Sequence, residues 1–131
     1  MKTLKYMSLA LCLLFSSCQT HEKSNKLYEE GISTELAQLR KQEIKELKYG
    51  LSFSIPEQKQ EAVEGEARIS FLLQRPQEII LNFRESADKI KDVSVNGQPS
   101  EYTFMNEHLV LPEASTIEGQ NEVHIRFIAG D

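Results

Sequence analysis

Histidine side chains are the first candidates for chemistry in this sequence, because imidazole ligates metals and exchanges protons near neutral pH. The chain has three of them, His21, His108 and His124. His21-Glu22 begins like the zinc motif H-E-x-x-H, whose two histidines share one face of a helix, but Asn25 stands at the second histidine position. His108 precedes a predicted strand and His124 lies on the polar side of another, so we predict exposed, structural imidazoles at both. The sequence therefore predicts no metal site.

Other catalytic patterns are also missing from the sequence. It contains no Gly-Lys-Ser/Thr phosphate loop, no Gly-x-Ser-x-Gly elbow and no Cys-x-x-Cys pair. Glu64 and Glu66 share one face of a predicted strand and are a carboxylate pair that could act as acid and base. Charged residues at a sheet edge also discourage edge-to-edge aggregation, and we favour that interpretation here. We therefore predict no catalytic residue.

The N-terminal residues have the pattern of a secretory signal. Lys2 and Lys5 precede a short apolar run over residues 9–15, which is about half of the ~20 apolar residues that a spanning helix needs. Small residues then lead directly into Cys18, and this junction resembles a bacterial lipobox. The resemblance implies removal of residues 1–17 and a lipid anchor on Cys18, with either the periplasmic or the surface face of the envelope as the destination. The alternative is an incidental cysteine beside an ordinary cleavage site.

Charge, length and cysteine count limit the possible partners and folds. Loss of Lys2 and Lys5 lowers the basic residues from 15 to 13 against 20 acidic residues, which gives a net charge of −7. The basic residues alternate with acidic ones, whereas nucleic-acid binding needs a basic stripe, so we predict no nucleic-acid partner. Removing 17 of the 131 residues leaves about 114, enough for one small domain. Its single cysteine excludes an internal disulfide.

The segment after the signal divides into a tether and a domain. Residues 18–30 are predicted to be the lipidated cysteine and a polar tether, because they contain few large apolar side chains. Residues 31–131 are predicted to form the domain, beginning with a short amphipathic helix. Ser33 is its predicted N-cap, and Ile32, Leu36 and Leu39 are predicted to form the face that docks it.

Alternating apolar and polar residues predict strands through most of the domain. The pattern is clearest over residues 47–55 and 63–73, where it is typical of antiparallel strands with one buried face, joined by residues 56–61. Five further strands are predicted at residues 79–83, 93–95, 102–104, 109–111 and 123–127. Asn96-Gly97 is a strong hairpin signal. Seven strands and one leading helix indicate an all-β antiparallel sheet or sandwich.

Two consecutive runs carry a resemblance to a known enzyme family. The first is Gly31-Ile32-Ser33-x-Glu35-Leu36-Ala37-x-Leu39-Arg40-Lys41, and the second is Ile44-x-x-Leu47-x-Tyr49-x-Leu51-x-Phe53-x-Ile55-Pro56. They resemble the start of an aminopeptidase N-type zinc metallopeptidase, and similar runs follow in order at residues 63–69, 80–83, 93–97 and 119–123. The resemblance covers residues 31–131. It implies a short helix that leads into a saddle-shaped β-domain, here incomplete, in front of a thermolysin-like catalytic domain.

The resemblance implies a non-catalytic N-terminal domain of a lipid-anchored zinc aminopeptidase. Such an enzyme removes N-terminal residues from peptides when its catalytic domain is present. The family's Gly-Ala-Met-Glu-Asn and H-E-x-x-H motifs do not occur among the 131 residues, so we expect this chain alone to be inactive and to hold no zinc. A truncated gene, a split gene or a fragment would each account for this. The alternative function is a stand-alone envelope lipoprotein that acts as a β-sheet binding or adaptor module.

Overall fold

The computed structural model describes residues 26–130, and its fold is all-β with a short leading helix, as predicted. The elements in chain order are helix α1 (Thr34–Glu43) and strands β1 (Lys45–Ser54), β2 (Val63–Leu73), β3 (Ile79–Asn82), β4 (Ile90–Val95), β5 (Gln98–Pro99), β6 (Thr103–Met105), β7 (His108–Leu111) and β8 (Gly119–Gly130). Short 3-10 turns at Ala87–Lys89 and Glu113–Ser115 precede β4 and β8.

The strands form two antiparallel sheets. The large sheet has the order β1-β2-β8-β4-β5, and the small sheet has the order β3-β7-β6. The two predicted hairpins are present. β1 pairs with β2, and Asn96-Gly97 joins β4 to β5 with φ values of 52° and 78°, as a type I′ turn requires. The sequence did not predict β5, because only Gln98 and Pro99 pair after that turn.

The core lies between the two sheets. Alternate residues of β2, β4 and β8 point inward and meet the inward residues of β3 and β7. The buried members of this cluster are Ala67, Ile69, Phe71, Leu73, Ile79, Ile90, Val93, Val95, Leu109, Leu111, Val123 and Ile125. Burial of this apolar surface is the main favourable contribution to folding.

Helix α1 covers the outer face of the small sheet. Ser33 is its N-cap, as predicted, because its Oγ accepts the Leu36 N–H at 3.1 Å. Leu36 is fully buried in a second apolar cluster with Ile80 and Val110. The predicted docking of Ile32 is wrong, since its side chain is 63% exposed. The helix begins only at Thr34, so Ile32 does not follow the helical phase of Leu36.

Strand β1 contradicts the prediction that one of its faces is buried. All ten residues from Lys45 to Ser54 are exposed. β1 is the edge strand of the large sheet, and the inward residues of the small sheet pack on β2, β4 and β8 instead. The alternating sequence therefore identified the strand correctly but not its surroundings.

Gly65 in β2 provides a test of the packing next to β1. The Phe127 ring crosses over Gly65 and makes edge-to-face contacts with Phe53 and Phe83 at centroid distances of 6.4 and 5.6 Å. A Cβ atom at residue 65 would lie 2.5 Å from two ring carbons of Phe127. We expect Gly65→Ala to lower the free energy of unfolding by about 1–3 kcal/mol, because the ring must move.

The matched control for this substitution is Gly50→Ala on the neighbouring strand. A Cβ atom at residue 50 would meet nothing closer than 3.9 Å. Urea denaturation of both variants measures the difference. Equal changes in the free energy of unfolding would contradict the close approach of Phe127 to the backbone at residue 65.

Candidate functional site

The β1 stripe, defined here as Leu47, Tyr49, Leu51 and Phe53 with Ile55 following the strand, is an exposed apolar surface. Its side chains are between 48% and 78% exposed. Tyr49 pairs with Ile69 and Leu51 with Ala67, so the stripe lies on the same face of the large sheet as the buried core. It is therefore an uncovered continuation of the core face.

A groove runs between the β1 stripe and strand β3. Its volume is about 510 Å³. Its floor includes Leu47 and Tyr49 of β1 with Ile69 and Phe71 of β2, and its wall is β3. The lining is mostly apolar, which suits an apolar protein surface better than a polar metabolite.

The wall of the groove is an open strand edge. The Phe83 N–H donates to the Glu107 carbonyl at 2.8 Å, so Phe83 belongs to a hydrogen-bonded pair with the β7 side. Such pairs alternate along antiparallel strands, so the backbone N–H and C=O groups of Ile80 and Asn82 point away from β7. Arg40 of α1 reaches this edge and donates to the Ile80 carbonyl at 2.6 Å. Burial lowers the pKa of Arg40 from its ordinary value. Helix α1 thus holds one carbonyl of the β3 edge.

The opposite face of the large sheet carries charged residues. The Glu66 carboxylate accepts a hydrogen bond from Arg68 at 2.9 Å and lies 2.8 Å from His124 Nε2. The contact with Arg68, and next the contact with His124, hold the pKa of Glu66 below its usual value. A general acid at neutral pH needs a raised pKa, so Glu66 is unsuited to that role. Arg126 pairs with Asp92 on the same face, with Nε 2.6 Å from Oδ2.

The carboxylate pair of Glu64 and Glu66 does not lie at a sheet edge, contrary to the prediction. Strand β2 lies between β1 and β8, so its charged side chains lie within the large sheet. The sequence showed the alternation of β2 but not its two neighbours. The side chains therefore form the polar outer surface of a central strand.

The prediction of an exposed imidazole at His108 is wrong. This residue begins β7 and is fully buried, with its Nε2 3.4 Å from Asn82 Nδ2. The chain before α1 passes close by, since Asn82 also donates to the Gly31 carbonyl at 3.2 Å. His124 is partly exposed and contacts Glu66. Within residues 26–130 no three His, Cys, Asp or Glu side chains are arranged to hold a metal ion.

Tyr28 is a docking residue that the sequence did not reveal. It packs with Leu27 against the Leu36 cluster, its carbonyl accepts from Asn106 Nδ2 at 2.7 Å, and its hydroxyl donates to the Glu78 carboxylate. Burial and, next, this hydrogen bond raise the pKa of Tyr28 to about 12. The end of the predicted tether is thus attached to the small sheet at residues 27 and 28.

The raised pKa of Tyr28 predicts a titration that absorbance can follow. Its contribution to stability is fully present below the unfolded tyrosine pKa of about 10, and it is lost as the pH rises through about 12. We expect one late-titrating phenolate, that of Tyr28. Tyr28→Phe should remove it, whereas Tyr49→Phe should retain it. Loss of the late step in both variants would contradict the assignment.

Cys18, the predicted lipidation site, and His21, which we did not predict to bind a metal, lie outside the described residues. Among the helices of residues 26–130, none combines the length and apolar character needed to cross a membrane. No protein-family model matches this sequence. A search of curated proteins likewise finds no match.

Proposed function

We propose that this chain is the non-catalytic N-terminal β-domain of a zinc aminopeptidase that is exported and anchored in the bacterial envelope through lipid on Cys18. In the whole enzyme, residues outside this sequence supply the zinc ligands and the general base. The domain itself forms one wall of the cleft that receives the peptide. Its role is to position the peptide, and it takes no part in the reaction itself.

The junction between α1 and β1 carries this proposal. Ile44 caps the helix by donating its N–H to the Arg40 carbonyl at 3.0 Å, adopts an extended conformation, and leads directly into β1. Tyr49, Leu51 and Phe53 then project from one face of an antiparallel sheet. This helix and strand carry the sequence resemblance to aminopeptidases, and they occur in the order that the resemblance implies.

The chemistry of the described residues supports a non-catalytic role. Glu66 pairs with Arg68 and Asp92 pairs with Arg126 on a sheet surface, where His124 contacts Glu66. In these contacts each of these side chains has a structural partner.

The proposal is tested on the polypeptide in its native source. An antibody against residues 26–130 should isolate from the membrane fraction a polypeptide longer than 131 residues. We expect this material to release N-terminal residues from peptides and to lose that activity when a chelator removes zinc. A lipidated polypeptide of only about 114 residues that has no peptidase activity would overturn the proposal.

The lipid anchor is tested separately with two cysteine variants. Cys18→Ser should abolish incorporation of labelled fatty acid and release the protein from the membrane fraction. Cys12→Ser is the matched control, because Cys12 lies within the predicted signal and should leave labelling unchanged. Labelling that survives Cys18→Ser would contradict the anchor, whatever the fate of the aminopeptidase proposal.

A stand-alone envelope lipoprotein that acts as a β-sheet binding module is the second candidate. The β1 stripe favours it, because exposed apolar patches of this extent mark surfaces that contact other proteins. It predicts that the native polypeptide is no longer than this chain and that it is monodisperse in solution. Aggregation of the isolated chain would count against it.

A further inference from the structure

The groove between the β1 stripe and β3 is positively charged where α1 meets β1. Arg40 and Lys41 of α1 line it there, together with Ile44, which links the helix to the strand. The described residues that line the groove include no aspartate or glutamate. Glu43 and Glu46 lie on either side of Ile44 in the sequence but are not lining residues. The groove therefore has the opposite charge to the chain, whose net charge is −5.

Arg40 is partly withdrawn from water without a negative partner. Its Nη2 donates to the Ile80 carbonyl at 2.6 Å, and no carboxylate within residues 26–130 forms an ion pair with it. Burial lowers the pKa of Arg40, while Tyr49 acts in the opposite direction. Removing a charge from water is costly unless that charge is paired. A guanidinium has five N–H donors, so Arg40 can hold the Ile80 carbonyl and bind an anion as well.

The rest of the groove suits an apolar chain. Ile69 and Phe71 are floor residues, and Leu47 and Tyr49 lie beside them. Beyond the groove the β1 stripe continues with further exposed apolar side chains. The groove volume of about 510 Å³ lies within the ~300–1,000 Å³ of small-molecule sites. The site thus combines one cationic end with an apolar path.

We propose that this groove binds a free alkyl carboxylate, a fatty acid, with its carboxylate on Arg40 and its tail along Leu47 and Tyr49. Arginine binds carboxylates through two parallel N–H···O bonds, which fixes the orientation of the head group. Lys41 adds a second positive charge beside it. The inference goes beyond the proposed aminopeptidase function and does not depend on it.

The contacts at the β3 edge favour an alkyl carboxylate over a polypeptide strand. A strand that enters the groove needs partners for its backbone N–H and C=O groups, and Arg40 already holds the Ile80 carbonyl. An alkyl tail has no polar groups to satisfy and needs only the apolar lining. A neutral or cationic amphiphile would leave Arg40 without a counter-charge. Charge and lining together therefore select an apolar anion.

The test uses the full chain in its native membranes and a fatty acid with a photoreactive diazirine in its tail. Labelling should saturate and should map to peptides that contain Leu47, Tyr49 or Ile79. A probe with the same tail and a trimethylammonium head group is the matched comparison. We expect this cation to need at least a ~10-fold higher concentration for half-saturation, because it lacks the charge-assisted contact with Arg40. Unlabelled laurate should compete with the anionic probe.

Substitutions identify the residue that binds the head group. Arg40→Gln should raise the half-saturating concentration of the anionic probe at least ~10-fold, and Arg40→Lys should recover part of this loss because it keeps the charge. Arg126→Gln is the control on the opposite face of the large sheet and should change it by less than ~2-fold. Protease resistance of residues 26–130 should be the same in all variants. If Arg40→Gln does not fold, the comparison of the two probes on the wild-type chain still decides the proposal.

Four outcomes would overturn the fatty-acid site. Labelling that does not saturate is the first, and equal half-saturation by the anionic and cationic probes is the second. The third is an Arg40→Gln variant that folds and is labelled as tightly as the wild type. The fourth is a groove filled by polypeptide, either a second copy or residues outside this sequence, which would exclude the probe. All four are independent of the peptidase activity and of the Cys18 variants, so failure of one proposal is distinguishable from failure of the other.

Discussion

Replacing Asn121 by leucine is expected to lower the free energy of unfolding by about 3–5 kcal/mol, because the buried amide satisfies several polar groups at once. The Asn121 Oδ1 accepts from the Ile117 N–H at 2.9 Å and from Asn96 Nδ2 at 3.0 Å, and its Nδ2 donates to the carbonyls of Ile117 and Gly119 at 2.8 and 3.0 Å. Asn121 is fully buried, so its own amide makes these bonds away from water. Leucine has a similar size but removes all four hydrogen bonds.

The measurement is equilibrium unfolding in urea, with Gln120→Leu as the control. Gln120 is the preceding residue and is exposed, so its substitution should change the free energy of unfolding by less than ~0.5 kcal/mol. Asn121 also links the loop before β8 to the β4–β5 hairpin through Asn96. Its loss should therefore weaken both segments. A cost below ~1 kcal/mol would contradict the proposed network.

Local patterns predicted the elements of this fold well. The alternation at residues 63–73 gave β2 as it stands, and Ser33 and Asn96-Gly97 marked a helix start and a turn because each acts through its nearest neighbours. The antiparallel class followed from the same alternation. These features depend on interactions within a few residues, which the sequence displays directly.

The uncovered stripe and the burial of His108 were not predictable in this way. Alternation shows that one face of β1 is apolar, but the order of strands decides whether another sheet lies over it. His108 is buried because the chain before α1 crosses the small sheet some 80 residues away in sequence, where Asn106 holds the Tyr28 carbonyl. Such contacts come from tertiary packing, which a single sequence does not display.

The candidate site depends on the same tertiary information. The groove exists because β1 and β3 are both edge strands on one side of the sandwich. The sequence predicted both strands, and it predicted Leu51 and Phe53 as apolar. It placed them in a buried core, since the apolar pattern of a covered strand face is the same as that of an uncovered one.

Replacing Leu36 by alanine is expected to cost about 2–5 kcal/mol and to release α1 from the small sheet. Leu36 is the one buried residue of the helix and is fully enclosed with Ile80 and Val110. This cluster is separate from the main core, so we expect local opening of residues 26–44 with the sandwich intact. Leu39→Ala, at a half-buried position of the same helix, is the control and should cost about 1 kcal/mol or less.

Hydrogen exchange distinguishes this local opening from global unfolding. In Leu36→Ala, amides of α1 should lose protection, whereas those of β2 and β8 should keep it because their core contacts do not involve Leu36. Opening also frees the Ile80 carbonyl, since Arg40 leaves with the helix. The β3 edge then becomes fully available for pairing. Uniform loss of protection across both sheets would show instead that the helix and the sandwich fold as one unit.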